Sequence, residues 1–146
     1  MMRRSRGGIR YSRRVNRTEA GVAEIIYKEE SYKIIGACFS VYNEVGFGFT
    51  EAVYQECTEI ELEMCEIPFY ARKGYPLFYK GKQLKKQYEP DIVCFDKIVV
   101  ELKAVSTITD EHRAQLINYL RGLRMKLGLL VNYGRCGGLQ HERIVL

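Results

Sequence analysis

Ile98-Val99-Val100-Glu101-Leu102-Lys103 is the stretch on which the reading of this chain turns. A β-branched run of this kind reads as a buried strand, and a carboxylate and an ammonium are costly to bury there unless each has a partner. Side chains alternate along a strand, so Glu101 and Lys103 share one face and Leu102 takes the other. Shortly upstream stand Pro90-Asp91, in a stretch from Tyr88 to Cys94 that reads as a neighbouring strand. A three-residue loop, 95 to 97, pairs Cys94 with Ile98 and sets Asp91 opposite Glu101 on a common face. A two-residue loop would set Asp91 opposite Leu102 instead. The first register brings two carboxylates together beside an ammonium, a set able to hold a hard divalent cation, Mg2+ or Mn2+, and an activated water. By themselves the residues fit equally a strand that ends at Asp91 beside Pro90, with Glu101 and Lys103 as an ordinary exposed pair.

Outward from this hairpin the pattern is that of an α/β domain. Towards the N-terminus, Thr18 can cap a helix over 19–45, or two with a break near Ser31, because Ile34, Cys38, Val41 and Val45 recur at core-facing spacing. Gly46-Phe47-Gly48 ends it, and Thr50 can cap a second helix running to about Cys65. After Pro68 the period changes to two: Phe69 to Arg72 and Pro76 to Tyr79 read as short strands, with a hairpin turn at Gly81. Beyond Lys103, Asp110 opens a third helix through about Leu123, Leu127 to Tyr133 reads as a strand, and Arg143 to Leu146 as a terminal one. Helices followed by strands, then helix and strand, give a mixed sheet flanked by helices.

The chain has 146 residues, 47% of them hydrophobic, enough for one domain with its own core. Its apolar runs are too short to span a membrane and its start lacks the apolar centre of a signal peptide, so a soluble cytoplasmic protein is expected. Five scattered cysteines without a Cys-x-x-Cys pair signal neither a disulfide framework nor a zinc or iron–sulfur site. The net charge of +5 is uneven: residues 1–17 hold seven arginines and no acid, and removing those seven leaves −2 for the rest. This basic arm is expected to be disordered alone and either to touch phosphates or to be a solvated tail. Residues 18–146 then form the single domain.

Pro90-Asp91, nine residues, then Glu101-Leu102-Lys103 resembles the PD-(D/E)xK motif of restriction-endonuclease-like nucleases. Gly48-Phe49-Thr50-Glu51-Ala52-Val53-Tyr54 is similar to the signature of the small bacterial GxxExxY proteins, a branch of that superfamily. Lys33-Ile34-Ile35-Gly36, Val100 to Val105, Ala114 to Leu120 and Arg143-Ile144-Val145-Leu146 also resemble that family, so the likeness covers roughly residues 20–146 in order. It implies a restriction-endonuclease-like core, with the acidic residues on a hairpin at the middle of a mixed sheet. It also implies Asp91 and Glu101 as metal ligands, with the Leu102 carbonyl available as a further oxygen, and Lys103 as the catalytic lysine. Glu51 would approach from the second helix as another acidic ligand or a water-positioning group; read alone, it is an acid well placed in a helix's first turn. Gln115 and Tyr119 resemble the Gln-x-x-x-Tyr helical motif of exonuclease-type members, and helical geometry gives His112, Gln115 and Tyr119 a shared direction. His112 reads more simply as a capping or surface histidine, and Tyr54 as a packing residue.

Tyr79 to Tyr88 interleaves Lys80, Lys82, Lys85 and Lys86 with aromatics, as a hairpin would to contact a nucleic-acid backbone and stack on bases. Lysines also serve to protect an edge strand. The leading expectation is a metal-dependent nuclease acting on DNA, with RNA as the lesser alternative. Its competitors are a non-catalytic nucleic-acid-binding or regulatory module of the same fold, and an interaction protein that self-associates as a homo-oligomer through apolar and tyrosine-rich surfaces.

Overall fold

Ile98–Lys103 (β8) is a strand, and every residue in it except Lys103 is buried. That degree of burial needs neighbours on both edges and cover on both faces. In the computed structural model, which describes residues 25–146 together with the backbone of three two-residue strands, Arg10–Tyr11 (β1), Asn16–Arg17 (β2) and Ala23–Glu24 (β3), both conditions are met. Ile92–Cys94 (β7) pairs antiparallel with β8 on one side, and Leu127–Asn132 (β9) pairs parallel with it on the other. Phe69–Ala71 (β4) lies outside β7, and Gln140–Val145 (β10) outside β9. The sheet order is β1-β10-β9-β8-β7-β4, the mixed, helix-flanked sheet expected. The parallel β8–β9 pair requires a crossover, which the helix Asp110–Leu123 (α3) supplies.

Helices cover both faces. Lys28–Val45 (α1) and Glu51–Met64 (α2) lie over the face that carries Ile98, Val100 and Leu102, which join Ile34, Cys38, Tyr54 and Leu62 in one apolar cluster. The face carrying Val99 packs with Leu116, Ile117 and Leu120 of α3. Glu101 and Lys103, two and four residues beyond Val99, therefore project towards α3. Two further strands, Tyr75–Tyr79 (β5) and Lys82–Tyr88 (β6), form a separate two-stranded ribbon.

Several boundaries differ from those expected. The first helix starts at Lys28, not near 19: Tyr27 is left-handed with φ 50°. The Arg143 guanidinium donates to the Ile26 carbonyl at 2.6 Å, and Ser31, no helix break, is buried with its hydroxyl bonded to the Tyr27 carbonyl. The expected Thr18 cap lies outside the described residues, as does most of the arginine arm. Tyr88 to Cys94 is not one strand. Pro90 has no N–H to offer a ladder and disfavours helix-like or tightly turned backbone before it, so β6 ends at Tyr88 and β7 begins at Ile92. The terminal strand begins at Gln140, three residues earlier than expected, because it pairs with the whole of β9. Thr50 does occupy the N-cap position of α2, but its side chain makes no capping bond.

Candidate active site

The register between β7 and β8 decides whether a site exists. Cys94 pairs with Ile98, Val93 with Val99 and Ile92 with Val100, which continues to Asp91 opposite Glu101. The loop is the three-residue one. Phe95 and Asp96 both have positive φ, 55° and 57°, and the Lys97 N–H closes the turn on the Cys94 carbonyl at 3.1 Å. Beyond the ladder the two acidic residues hold each other through backbone groups. The Asp91 N–H donates to Glu101 Oε1 at 3.1 Å, and the Leu102 N–H donates to Asp91 Oδ2 at 2.8 Å. Asp91 is 8% exposed and Glu101 5%, so Glu101 is not half of an exposed pair with Lys103.

Two further contacts fix Asp91 from behind, neither of them anticipated from the sequence. Its carbonyl accepts from Gln55 Nε2 on α2 and from the Arg72 N–H at the end of β4, each at 3.1 Å. Gln55 is buried, also donates to Glu59, and leaves its own Oε1 without a partner among the described residues. Its signal in the sequence was its position one helical turn after Glu51, which by itself also fits an ordinary helix surface.

Burial first, and then the Asp91 carboxylate, push the Glu101 pKa well above the ordinary carboxylate range, and the Asp91 N–H, followed by Lys103, draws it only partly back. Two carboxylates this close and this dry cannot both ionise cheaply. Glu51, in the first turn of α2, is raised by burial and then by Asp91, while Lys103, Arg72 and His112 lower it. Its charge is therefore felt at the site. Even so, among the described residues no three His, Cys, Asp or Glu side chains converge as a metal-holding group; the close pair is Asp91 with Glu101. That pair offers hard oxygen donors of the kind a small divalent cation takes, and a cation would relieve the repulsion that raises Glu101. The donor set fits such an ion.

The turn before α2 explains the Gly48-to-Tyr54 segment. Gly46 and Gly48 take φ of 70° and 110°, and the buried Tyr54 hydroxyl donates to the Gly46 carbonyl and accepts from the Phe49 N–H. Its ring stacks on Tyr133, centroids 4.5 Å apart. Tyr54 is thus a packing residue that pins the turn from which Glu51 starts.

On the α3 side, Lys103 Nζ donates to Gln115 Oε1 over a long 3.5 Å, and Gln115 Nε2 donates to the Tyr119 hydroxyl at 3.4 Å. Burial, then Glu101 and Asp91, raise the Tyr119 pKa, so the phenol borders the carboxylates. His112 caps its own helix: its Nδ1 accepts from the Thr109 N–H at 3.1 Å, and its own N–H donates back to the Thr109 hydroxyl. The segment leaving Lys103 is held by a network the sequence did not disclose. Asn132, fully buried, accepts from the N–H groups of Val105 and Gly134 and donates to the Val105 carbonyl and to Gln140. Gly134 is there because a Cβ would fall 2.3 Å from the Val105 nitrogen. Lysines 80, 82, 85 and 86 stand apart from this cluster on the β5–β6 ribbon, all exposed.

The family model described as the PD-(D/E)XK nuclease superfamily matches residues 28–144. The chain belongs to that superfamily. Nucleases of the superfamily generally use divalent metals and act on nucleic acid, in keeping with a buried acidic pair whose second member, Glu101, stands two positions before a lysine. No curated protein and no solved structure matches the chain. Among the described residues, no helix is long and apolar enough to cross a membrane.

Proposed function

We propose that this member of the superfamily is an active Mg2+- or Mn2+-dependent nuclease that hydrolyses phosphodiester bonds of DNA, with RNA the lesser alternative, and that it is of the GxxExxY type. The observation that carries this is the register that faces Asp91 to Glu101, buried, with Lys103 on the same face. Asp91 and Glu101 would hold the cation, with the Leu102 carbonyl as an additional oxygen. When bound, it supplies Lewis-acid polarisation of the phosphodiester and acidifies a water. The rest of the chemistry belongs to the chain. The Lys103 ammonium orients the attacking water, helps it lose its proton by lowering its pKa, and stabilises the charge that develops on the phosphate. Gln115 holds the Lys103 ammonium in that position, and Tyr119 backs Gln115. Glu51 positions the water from the other side, where its raised pKa suits it to accept a proton. The lysine-bearing ribbon adds positive charge along the approach.

Cleavage of single- and double-stranded DNA and of RNA by the full chain, with Mg2+ or Mn2+ and with EDTA, tests this. Lys103→Ala and Glu101→Ala are each expected to lower metal-dependent cleavage by about 10²-fold or more. Equal cleavage by wild type and both variants would identify a contaminant and sink the proposal. A second reading, a binding module that retains the fold without turnover, draws on the absence of a third close ligand among the described residues. It expects salt-sensitive binding, part of it through the 1–17 arm, and no cleavage under any of these conditions.

A further inference from the structure

The β5–β6 ribbon is open to solvent on both faces, for every β6 residue from Lys82 to Gln87 is exposed, and its two faces are not alike. Alternation puts Lys82, Leu84, Lys86 and Tyr88 on one face of β6. Tyr79 stands opposite Lys82 and Tyr75 opposite Tyr88; the register shifts between Pro76 and Phe78, by an even number of residues, so both tyrosines still join that face. Gln83, Lys85 and Gln87 take the other, together with the exposed Phe78 opposite Gln83, so that face carries one lysine on β6 where the first carries two.

The first face is tied to the site at its base. The Tyr88 ring meets Tyr119 edge-on, centroids 4.9 Å apart. A Cβ on Gly122 would fall 2.2 Å from Tyr88 Cε2, so α3 carries a glycine where the ring lies. Tyr119 is bonded to Gln115, and Gln115 to Lys103. A continuous face therefore runs from the ribbon tip to the catalytic lysine, with β6 from Lys82 to Tyr88 supplying about 20 Å of it at roughly 3.3 Å per residue.

Along this face apolar and cationic groups alternate in the open. Tyr79 is 63% exposed and Leu84 42%, and Lys82 and Lys86 flank Leu84. A duplex, its bases stacked inside, can use the lysines but leaves Tyr79 and Leu84 in water. An unpaired strand uses both, with bases on the aromatic and apolar surfaces and phosphates on the ammonium groups. We propose that this face is a track for single-stranded nucleic acid that leads the strand to the Asp91–Glu101–Lys103 site. What happens at the end of the track rests on the nuclease reading above; the binding does not.

Fluorescence anisotropy of the full wild-type chain in EDTA, with a labelled oligothymidylate and a duplex of equal length, tests it. The single strand is expected to bind about tenfold tighter or more. Tyr79→Ala should weaken that binding about tenfold. Lys82→Gln and Lys86→Gln should each weaken it and reduce the slope of log affinity on log salt by about 0.7. Phe78→Ala, an exposed aromatic on the other face, should change it by less than about twofold. Equal affinity for the two probes, or a Phe78→Ala loss as large as that of Tyr79→Ala, overturns the track and leaves the nuclease reading standing, because cleavage is measured separately. Binding of neither probe overturns the track as well. Selective single-strand binding with no cleavage in any metal keeps the track and removes the nuclease reading.

Discussion

The molecule contains two neighbouring antiparallel hairpins built on left-handed turns and used in opposite ways. In β7–β8 every strand residue but Lys103 is buried. In β5–β6 every β6 residue but Tyr88 is exposed, and Tyr88 itself is half-buried. The turns are Phe95-Asp96 in the first and Lys80-Gly81 in the second, all four with positive φ. Only Gly81 is a residue that favours that conformation outright. The buried hairpin can keep Phe95 and Asp96 there because a one-residue slip would turn Val99 and Ile98 each to the wrong face, so packing on both sides enforces the register. The ribbon has no such enforcement and relies on its turn and on Tyr88 at its base. Burial also separates their electrostatics. Charges in the first hairpin are few, dry and coupled to each other, whereas those in the second are many and bathed in solvent. A place for coupled carboxylates needs the first kind of hairpin; a surface that meets a charged polymer reversibly needs the second.

Three measurements can break or sharpen this contrast. The largest effect is expected where the buried hairpin is held from behind. Asn132→Ala removes four hydrogen bonds to the segment that follows Lys103 and its support, leaving half-buried backbone groups unpaired, and should cost roughly 2–4 kcal/mol in urea denaturation. A loss below about 1 kcal/mol would show that the hairpin does not depend on this network.

Next comes the pH dependence of the metal-free protein. The folded-state pKa of Glu101 lies above its ordinary 4.5, so the folded chain keeps a proton that the unfolded chain has already released. Stability therefore falls as pH rises from about the ordinary carboxylate value towards the raised one. Glu101→Gln removes that slope and should melt a few degrees higher than wild type near neutral pH in EDTA, while losing cleavage. Parallel melting curves for the two proteins across this range would mean that the carboxylates are not coupled as the geometry indicates. The smallest effect is expected on the ribbon: Leu84→Ala, at a site open to solvent, should change stability by no more than about 0.5 kcal/mol. A larger change would mean that the ribbon is part of the core rather than an exposed arm.

Much of this was legible in the residues. The third helix runs over Asp110–Leu123, as its pattern indicated, and the β-branched run Ile98-Val99-Val100 is the buried centre of the sheet. The three-residue loop, one of two registers left open, is the one found. Other features were hidden for identifiable reasons. Gln55, Asn132 and Gln140 are amides whose partners lie 36, 27 and 8 residues away, and a polar residue in an amphipathic stretch reads as surface unless its partner is known. Arg72 reads as the end of a strand, and what matters is its backbone N–H, which no side-chain pattern reports. The apolar period places the start of the first helix too early, because it carries no sign of the bonds that Arg143 makes, from the far end of the chain, to Ile26 and Ser31.

The sequence by itself determined that an acid and a lysine share one face of a central strand of an α/β sheet, with a second acid at the start of the strand before it, because alternation and a β-branched run are local properties that carry their own signal. Only the tertiary structure decided that Asp91 and Glu101 are buried together, that Gln55 and Arg72 hold the Asp91 carbonyl, and that Lys103 reaches Gln115. Those outcomes depend on register and on helices packed over both faces of the sheet, and a coupled pair of carboxylates exists only where distant segments exclude water from it.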